Sequence, residues 1–301
     1  MRKLEGFEVN VVGRSKPSNL RDEYFFKGDF ASNCNLYDAL RYVDVVIHCA
    51  ARVHLMVETS TEPLIAYRRV NTEGTINFAK QAAVAGVKRF IFISTIKVNG
   101  EETSLDTPFT AADRRLPQDP YGVSKSEAEQ QLLNLSSKTG MEVVIIRPPL
   151  IYGPGVQANF ASLMNLISRD IPLPFACFNM NKRSMVSIYN LVDLIFKCID
   201  HPKATNEVFL VSDDEDLSTI EIIKRLCKAC GKNAFMLPVP VGLFQFAGLV
   251  TGKSREVKRL TNSLHVDISK TKELLGWIPP MSVDEGFKRT ADAFFESKRE
   301  K

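Results

Sequence analysis

Residues Lys88 to Thr95 read KRFIFIST, and this stretch decides the fold. Its apolar residues are continuous rather than alternating, as in a strand covered on both faces within a parallel sheet. It closes on two hydroxyls, Ser94 and Thr95, at the carboxyl end, where open α/β sheets bind their ligands. Similar runs lie upstream: FEVNVV (Phe7 to Val12), YFFKGD (Tyr24 to Asp29) and DVVIHCA (Asp44 to Ala50). MEVVIIR (Met141 to Arg147) lies downstream. A helical pattern from about Glu62 to Ala85 joins the third and fourth runs, and another from about Tyr121 to Ser137 joins the fourth and fifth. Short apolar strands alternating with helices predict a doubly wound α/β domain.

After Arg147-Pro148-Pro149 the rhythm breaks. Prolines and glycines cluster, helices shorten, and only EVFLVSD (Glu207 to Asp213) again reads as a strand. The expected division is therefore a dinucleotide-binding, Rossmann-like domain over residues 1–149 and a smaller mixed α/β substrate domain over 150–301.

The composition, with 45% hydrophobic and 25% charged residues, is that of an ordinary globular protein. A net charge of +4 with scattered basic residues gives no reason to expect a nucleic-acid partner. Six cysteines without a framework spacing read as free thiols in a reducing compartment, so a cytoplasmic setting is expected. Cys227-Lys-Ala-Cys230 is a lone C-x-x-C with no second pair, and no metal site is expected there. The uncharged stretch from Phe235 to Gly252 is barely long enough to span a bilayer and is broken by two prolines and three glycines. It reads as a packed helix, not as an integral membrane segment.

Tyr121-Gly-Val-Ser-Lys125 opens the helix after a proline-rich loop. The i, i+4 spacing puts phenol and ammonium on one helix face. A neighbouring positive charge favours phenolate, so a partly desolvated lysine together with a cationic nicotinamide ring would lower the tyrosine pKa toward neutrality, giving a general acid/base ready to move a hydroxyl proton. A hydroxyl from Ser94 or Thr95 could hold the same substrate oxygen against the phenol.

FIFIST followed by YGVSK resembles the Ser/Thr–Tyr–Lys triad of the extended short-chain dehydrogenase/reductases, the NAD-dependent epimerase/dehydratase family. The resemblance extends along the chain through VVIHCAA (Val45 to Ala51), VNTEGT (Val70 to Thr75), RPPLIYGPG (Arg147 to Gly155), RSMVSIYNLVDLI (Arg183 to Ile195) and VDISKTKELLGWIPP (Val266 to Pro280). It implies that Thr95 orients the substrate beside Ser94, that Tyr121 is the acid/base, and that Lys125 tunes it and binds the nicotinamide ribose. It also implies an NAD or NADP cofactor read by Asp29 and Phe30 at the adenine, lined by Ala50 and Ala51, and met by Asn71 and Pro148. Asn159 and Arg183 resemble the positions that hold a nucleotide-sugar diphosphate. Arg14 stands where the family often has an acid for the ribose, and an arginine there suits a 2′-phosphate.

The implied function is a UDP-sugar 4-epimerase or 4-keto-reductase of surface-polysaccharide synthesis, working as a homodimer. Two other readings stay open: a catalytically inactive remnant serving as a binding protein, and a dehydrogenase of a lipid or steroid alcohol. One departure from the family pattern bears on both. None of the sixteen glycines falls in a G-x-G-x-x-G turn opening a helix, and MRKLEG reads as the tail of the helix that would follow one. The expectation is a Rossmann-like domain lacking its first βα unit, about 20 residues, either by truncation or because the true start lies upstream. Its sheet would be split at the missing strand, and dinucleotide binding would be weak.

Overall fold

The structure is a computed structural model, and it describes all residues except 1–5, 18–19, 33, 54–61, 156–157, 170 and 300–301. The helix tail read into residues 1–5 lies outside the described residues, as does His54. Eight strands are described: β1 (Val11–Gly13), β2 (Phe25–Lys27), β3 (Val45–His48), β4 (Arg89–Ile93), β5 (Glu142–Arg147), β6 (Leu150–Tyr152), β7 (Met185–Ser187) and β8 (Val208–Leu210). The helices are α1 (Tyr37–Leu40), α2 (Pro63–Tyr67), α3 (Thr75–Val84), α4 (Pro120–Thr139), α5 (Ala158–Ser168) and α6 (Ile188–Asp200), then α7 (Thr219–Ala229), α8 (Val241–Val250), α9 (Ser254–Thr261), α10 (Ser269–Leu275) and α11 (Val283–Arg299).

The chain divides into two compact units. The first holds Met1–Val98, Pro117–Ile146 and Cys198–Val208. Its main sheet has the order β3-β4-β5-β8, with β3, β4 and β5 parallel and Val45 opposite Arg89, itself opposite Glu142. The reason is in the sequence: Phe90, Ile91 and Phe92 are fully buried, as are Val143 to Ile146, so both faces of these strands are covered. Ala79, Ala82, Ala128 and Leu132 supply the helix surface against them, and three alanines let the helices sit close.

β1 and β2 pair with each other in parallel, Val11 opposite Phe25, as a separate two-stranded ladder. β1 begins four residues later than the FEVNVV run suggested, and residues 7–10 pair with nothing in the described ladders. Ile47 on β3 is 40% exposed although it belongs to an apolar strand, and Cys49 just beyond it is exposed as well.

The two units do not part at residue 149 alone. Residues 198–208 belong with the first because Arg89 holds them there. Its guanidinium donates to the carbonyls of Cys198 (2.7 Å), Ile199 (3.0 Å) and His201 (3.1 Å), and to Glu142 Oε2 (2.7 Å). A cation at the last carbonyls of α6 also meets the negative end of the helix dipole.

The second unit holds Asn99–Leu116, Arg147–Lys197 and Phe209–Lys301. Residues 99–116 join it by backbone bonds, Thr103 N–H to Ser263 O (2.9 Å) and Phe109 N–H to His265 O (2.9 Å). β6 and β7 pair in parallel, a ladder the sequence reading missed because each is only three residues long. Tyr152, Phe160 and Phe287 form an aromatic core, with Tyr152 and Phe287 centroids 4.8 Å apart. Buried Asp213 is satisfied by the Tyr152 hydroxyl (2.6 Å), the Ser187 N–H (2.9 Å) and the Asn190 amide (2.7 Å), as a buried carboxyl requires. Among the described residues, no helix is long and apolar enough to cross a membrane.

Candidate active site

The carboxyl ends of β2, β3 and β4 carry Asp29-Phe30, Ala50-Ala51 and Ser94-Thr95. Tyr121 reaches this region because of how α4 starts. Asp119 caps the helix, accepting from the Gly122 N–H (2.7 Å), and Pro120 occupies its first position. Lys97 pairs with the same Asp119. Gly122 lies directly on the Lys97 carbonyl, where a Cβ would stand 2.9 Å from the oxygen. Since Lys97 follows Thr95 by two residues, this contact seats the turn of Tyr121 against the turn of Ser94 and Thr95. The glycine is what lets the two backbones meet.

Asn71 is fixed by an unusual helix. α2 and α3 are continuous through a π-helical stretch, Arg68–Gly74, where the sequence pattern predicted one plain α-helix. Such π turns occur mostly at functional positions. Gly74 sits so close to Phe30 that a Cβ would lie 2.0 Å from the Phe30 carbonyl oxygen. Fully buried Asn71 accepts from the Arg52 N–H (2.8 Å) and donates to Arg52 O (3.0 Å) and Ser124 Oγ (3.0 Å). It thereby ties the segment after β3 to the turn of α4 between Tyr121 and Lys125.

The expected lowering needs a cofactor's charge as well as Lys125, and the protein alone does not provide it. The phenol of Tyr121 is not lowered toward neutrality; burial, then Asp119 and Tyr67, push it up to about 12. Lys125 does not offset this, because its ammonium is committed elsewhere. Nζ donates to Ile93 O (2.8 Å) and stands 4.2 Å from the Phe92 ring centroid. Burial pushes Lys125 down to about 7, against the charges of Cys49 and Glu129, which favour the ammonium. Solvent reaches part of Cys49, yet the protein packed around its sulfur pushes the thiol up, with Lys125 acting against the rise.

Two residues near this chemistry went unread in the sequence. Glu129 is fully buried one turn beyond Lys125, and its Oε1 accepts from Ser94 Oγ (2.5 Å). Extending the Tyr121–Lys125 spacing by four more residues would have found it. His48 was passed over inside DVVIHCA. It is caged by Phe30, Phe78, Phe90 and Phe92, with Nε2 2.9 Å from Thr75 Oγ1, and burial then Lys125 push it down to about 3. It is neutral and steadies Phe30.

The residues that could hold a dinucleotide fit it unevenly. Asp29 is exposed and uses Oδ1 to accept from the Ala31 N–H (2.9 Å), which presents the carboxylate at the end of β2. Phe30 packs edge-on to His48 (5.0 Å) and Phe78 (5.3 Å). Ala50 and Ala51 are half-buried and small, so a ligand can lie across them, and Arg14 is exposed just past β1. An adenosine end and a nicotinamide end thus have residues to meet. For the pyrophosphate, the sequence offers no glycine-rich turn opening a helix.

In the second unit, Pro148 is buried between β5 and β6, and Asn159 lies on the first turn of α5. Arg183 donates to the carbonyls of Arg259 (2.8 Å) and Asn262 (3.1 Å) at the end of α9. Burial, then the charge of Arg259, lower its pKa. The sequence reading named Arg183 and missed Arg259, whose place beside it depends on a chain separation no local motif reveals. Among the described residues no group of three His, Cys, Asp or Glu side chains could hold a metal ion. All six cysteines are free.

Residues 2–212 match the profile of the NAD dependent epimerase/dehydratase family. The chain is 56% identical, over 273 residues, to a Vibrio cholerae protein named UDP-glucose 4-epimerase, covering 91% of this chain and 83% of that one. Two solved structures share the fold. The UDP-glucose 4-epimerase from Thermotoga maritima, solved with UDP-glucose, gives a TM-score of 0.74 at 21% identity, covering 99% of this chain and 94% of that one. The UDP-glucuronic acid 4-epimerase from Bacillus cereus, in complex with NAD, gives 0.71 at 23% identity, covering 90% and 80%. At such identities the likeness is one of fold.

Proposed function

The chain belongs to the NAD dependent epimerase/dehydratase family, and from that premise we propose that it is a UDP-sugar 4-epimerase, with UDP-glucose and UDP-galactose as its pair of sugars. The observation that carries this reading is the seating of the Tyr121 turn on the Ser94–Thr95 turn at the carboxyl end of a parallel sheet. The identity of 56% to a named 4-epimerase favours epimerisation over ketone reduction or steroid oxidation.

In this reading Thr95 donates to or accepts from the sugar O4 and Ser94 is held beside it by Glu129. Tyr121 exchanges a proton with O4. The free protein holds the phenol protonated, so proton abstraction waits for added positive charge. A bound nicotinamide, when oxidised, supplies that charge and a reversible hydride acceptor. Lys125, poised near neutrality, adds its own charge if it turns from Ile93 O toward the phenol or a ribose hydroxyl. Asp29, Phe30, Ala50, Ala51 and Asn71 would hold the dinucleotide within the first unit. Pro148, Asn159 and Arg183, with Arg259 beside it, would serve cofactor and nucleotide sugar from the second.

We read the seam between the β1–β2 ladder and β3 as the place of one further strand in the doubly wound order. The separate ladders and the exposed Ile47 and Cys49 support this. A homodimer through α3 and α4 suits the exposed Ile65 and Val84 on the same helical stretch, and a cytoplasmic setting suits the free thiols. NADP remains a cofactor choice beside NAD because of Arg14. The test is to incubate the protein with UDP-glucose and millimolar NAD or NADP and follow the sugar anomeric protons by NMR. UDP-galactose formed without net reduced cofactor supports the reading, and stoichiometric cofactor turnover refutes it.

A further inference from the structure

α8 uses only one narrow face to pack. Phe244 stacks on Phe175 (centroids 5.8 Å) and meets Phe178 edge-on (5.0 Å). One turn later Gly248 lies against α9, where a Cβ would stand 2.7 Å from Val257 Cγ2. The opposite side is apolar and open to solvent: Leu243 is 59% exposed, Phe246 66%, Leu249 72% and Val250 70%. These positions follow i, i+3, i+6 and i+7, a single stripe along the helix. Phe235 and Leu237, just ahead of α8, are exposed too. Soluble monomers seldom leave so many large apolar side chains together in water.

The charge beside the stripe is mostly positive. Residues 235–252 carry none, and the next turns bring exposed Lys253, Lys258 and Arg259, with Glu256 the only acid as far as Thr261. A helix of 10 residues is about 15 Å long, half the hydrocarbon thickness of a bilayer, so α8 cannot cross one. An apolar helical face of this length flanked by basic residues is what lies flat in the headgroup region of an anionic bilayer. A second copy is a poorer occupant, because a two-fold contact through α8 would bring two sets of these basic residues together.

We propose that α8 and the segment before it form a peripheral membrane-binding surface, with the Leu243–Phe246–Leu249–Val250 stripe in the acyl boundary and Lys253 and Lys258 on anionic phospholipid headgroups. The surface uses none of the side chains assigned to catalysis.

The experiment is co-sedimentation of the whole protein with vesicles of phosphatidylcholine alone, or of phosphatidylcholine with phosphatidylglycerol, at low and high salt. Binding to the anionic vesicles at low salt, weaker by about tenfold or more on neutral vesicles or in high salt, is expected. Leu243→Ser, Phe246→Ser and Leu249→Ser combined should lower that binding by at least about tenfold. Lys253→Glu with Lys258→Glu should remove the preference for anionic lipid. Phe246→Trp, a mild change at an exposed position, reads insertion directly through a blue-shifted emission quenched by brominated lipid. Wild-type protein that stays in the supernatant with anionic vesicles at low salt would overturn the proposal. So would an unchanged Phe246→Trp emission, or a lipid-free dimer that the triple serine variant dissolves.

Discussion

Replacing Lys125 by methionine should stabilise the protein at acid and neutral pH and destabilise it at high pH. The ammonium is fully buried and its pKa falls from 10.5 to about 7. At about 1.4 kcal/mol per factor of ten, charging this group in the folded protein costs up to about 5 kcal/mol relative to the unfolded chain. Methionine removes that cost and keeps the apolar stem, but forfeits the bond to Ile93 O, worth about 1 kcal/mol. It also forfeits the contact over Phe92, worth about 1–2 kcal/mol while the group is charged. The net gain at pH 6 is therefore about 2–3 kcal/mol.

The pH dependence has a definite sign. The folded-state pKa is depressed, so between about 7 and 10.5 the unfolded chain binds the extra proton and wild-type stability rises with pH through that window. The Lys125→Met variant lacks this rise. Its advantage should be full below about pH 7, shrink steadily above it, and reverse near pH 10.5, where the neutral amine still bonds Ile93 O. Urea unfolding followed by circular dichroism at pH 6, 8 and 10 measures the difference. A stability difference that does not vary with pH would falsify the assignment of a neutral-range pKa to Lys125.

Four further outcomes follow from particular contacts. Gly122→Ala puts a Cβ 2.9 Å from the Lys97 carbonyl, so it should cost about 1–3 kcal/mol in unfolding experiments and lower kcat more than it raises KM. Arg89→Met leaves Glu142 and three carbonyls of residues 198–201 without their donor; a loss of about 3–5 kcal/mol in urea unfolding is expected. Tyr121 should ionise near 12 in the free protein, so the ultraviolet difference between wild type and Tyr121→Phe should show no phenolate below about pH 10. A phenolate appearing near neutrality would restore the simpler tyrosine–lysine coupling. NAD titrated into a chain of this sequence should bind weakly, with Kd above about 10⁻⁴ M, because none of its sixteen glycines falls in a G-x-G-x-x-G turn that would receive the pyrophosphate. Submicromolar binding would show that phosphate is held in another way.

Much of this was legible in the sequence because the strands that matter are buried on both faces. KRFIFIST and MEVVIIR are continuous apolar runs, and their ladders fall where the runs do. The helix start near Tyr121 was readable from the proline-rich loop before it, and the structure shows Asp119 as its cap and Pro120 as its first residue. What escaped was set by tertiary contact. The π turn at Asn71 has no local signature; Gly74 on the Phe30 carbonyl is visible only in three dimensions. The Tyr121–Lys125 spacing told which residues share a helix face but not where the ammonium points, and the Ile93 carbonyl takes it. The exposed stripe of α8 was hidden because hydrophobicity alone does not say which face finds a partner.

The most direct test of the account is epimerisation of UDP-glucose carrying deuterium at C4, with NAD present, in wild type and Tyr121→Phe. Wild type should give UDP-galactose that keeps the deuterium at C4, and the variant should be slower by at least about a hundredfold. Loss of the label to solvent, or equal rates in the two proteins, would contradict the account.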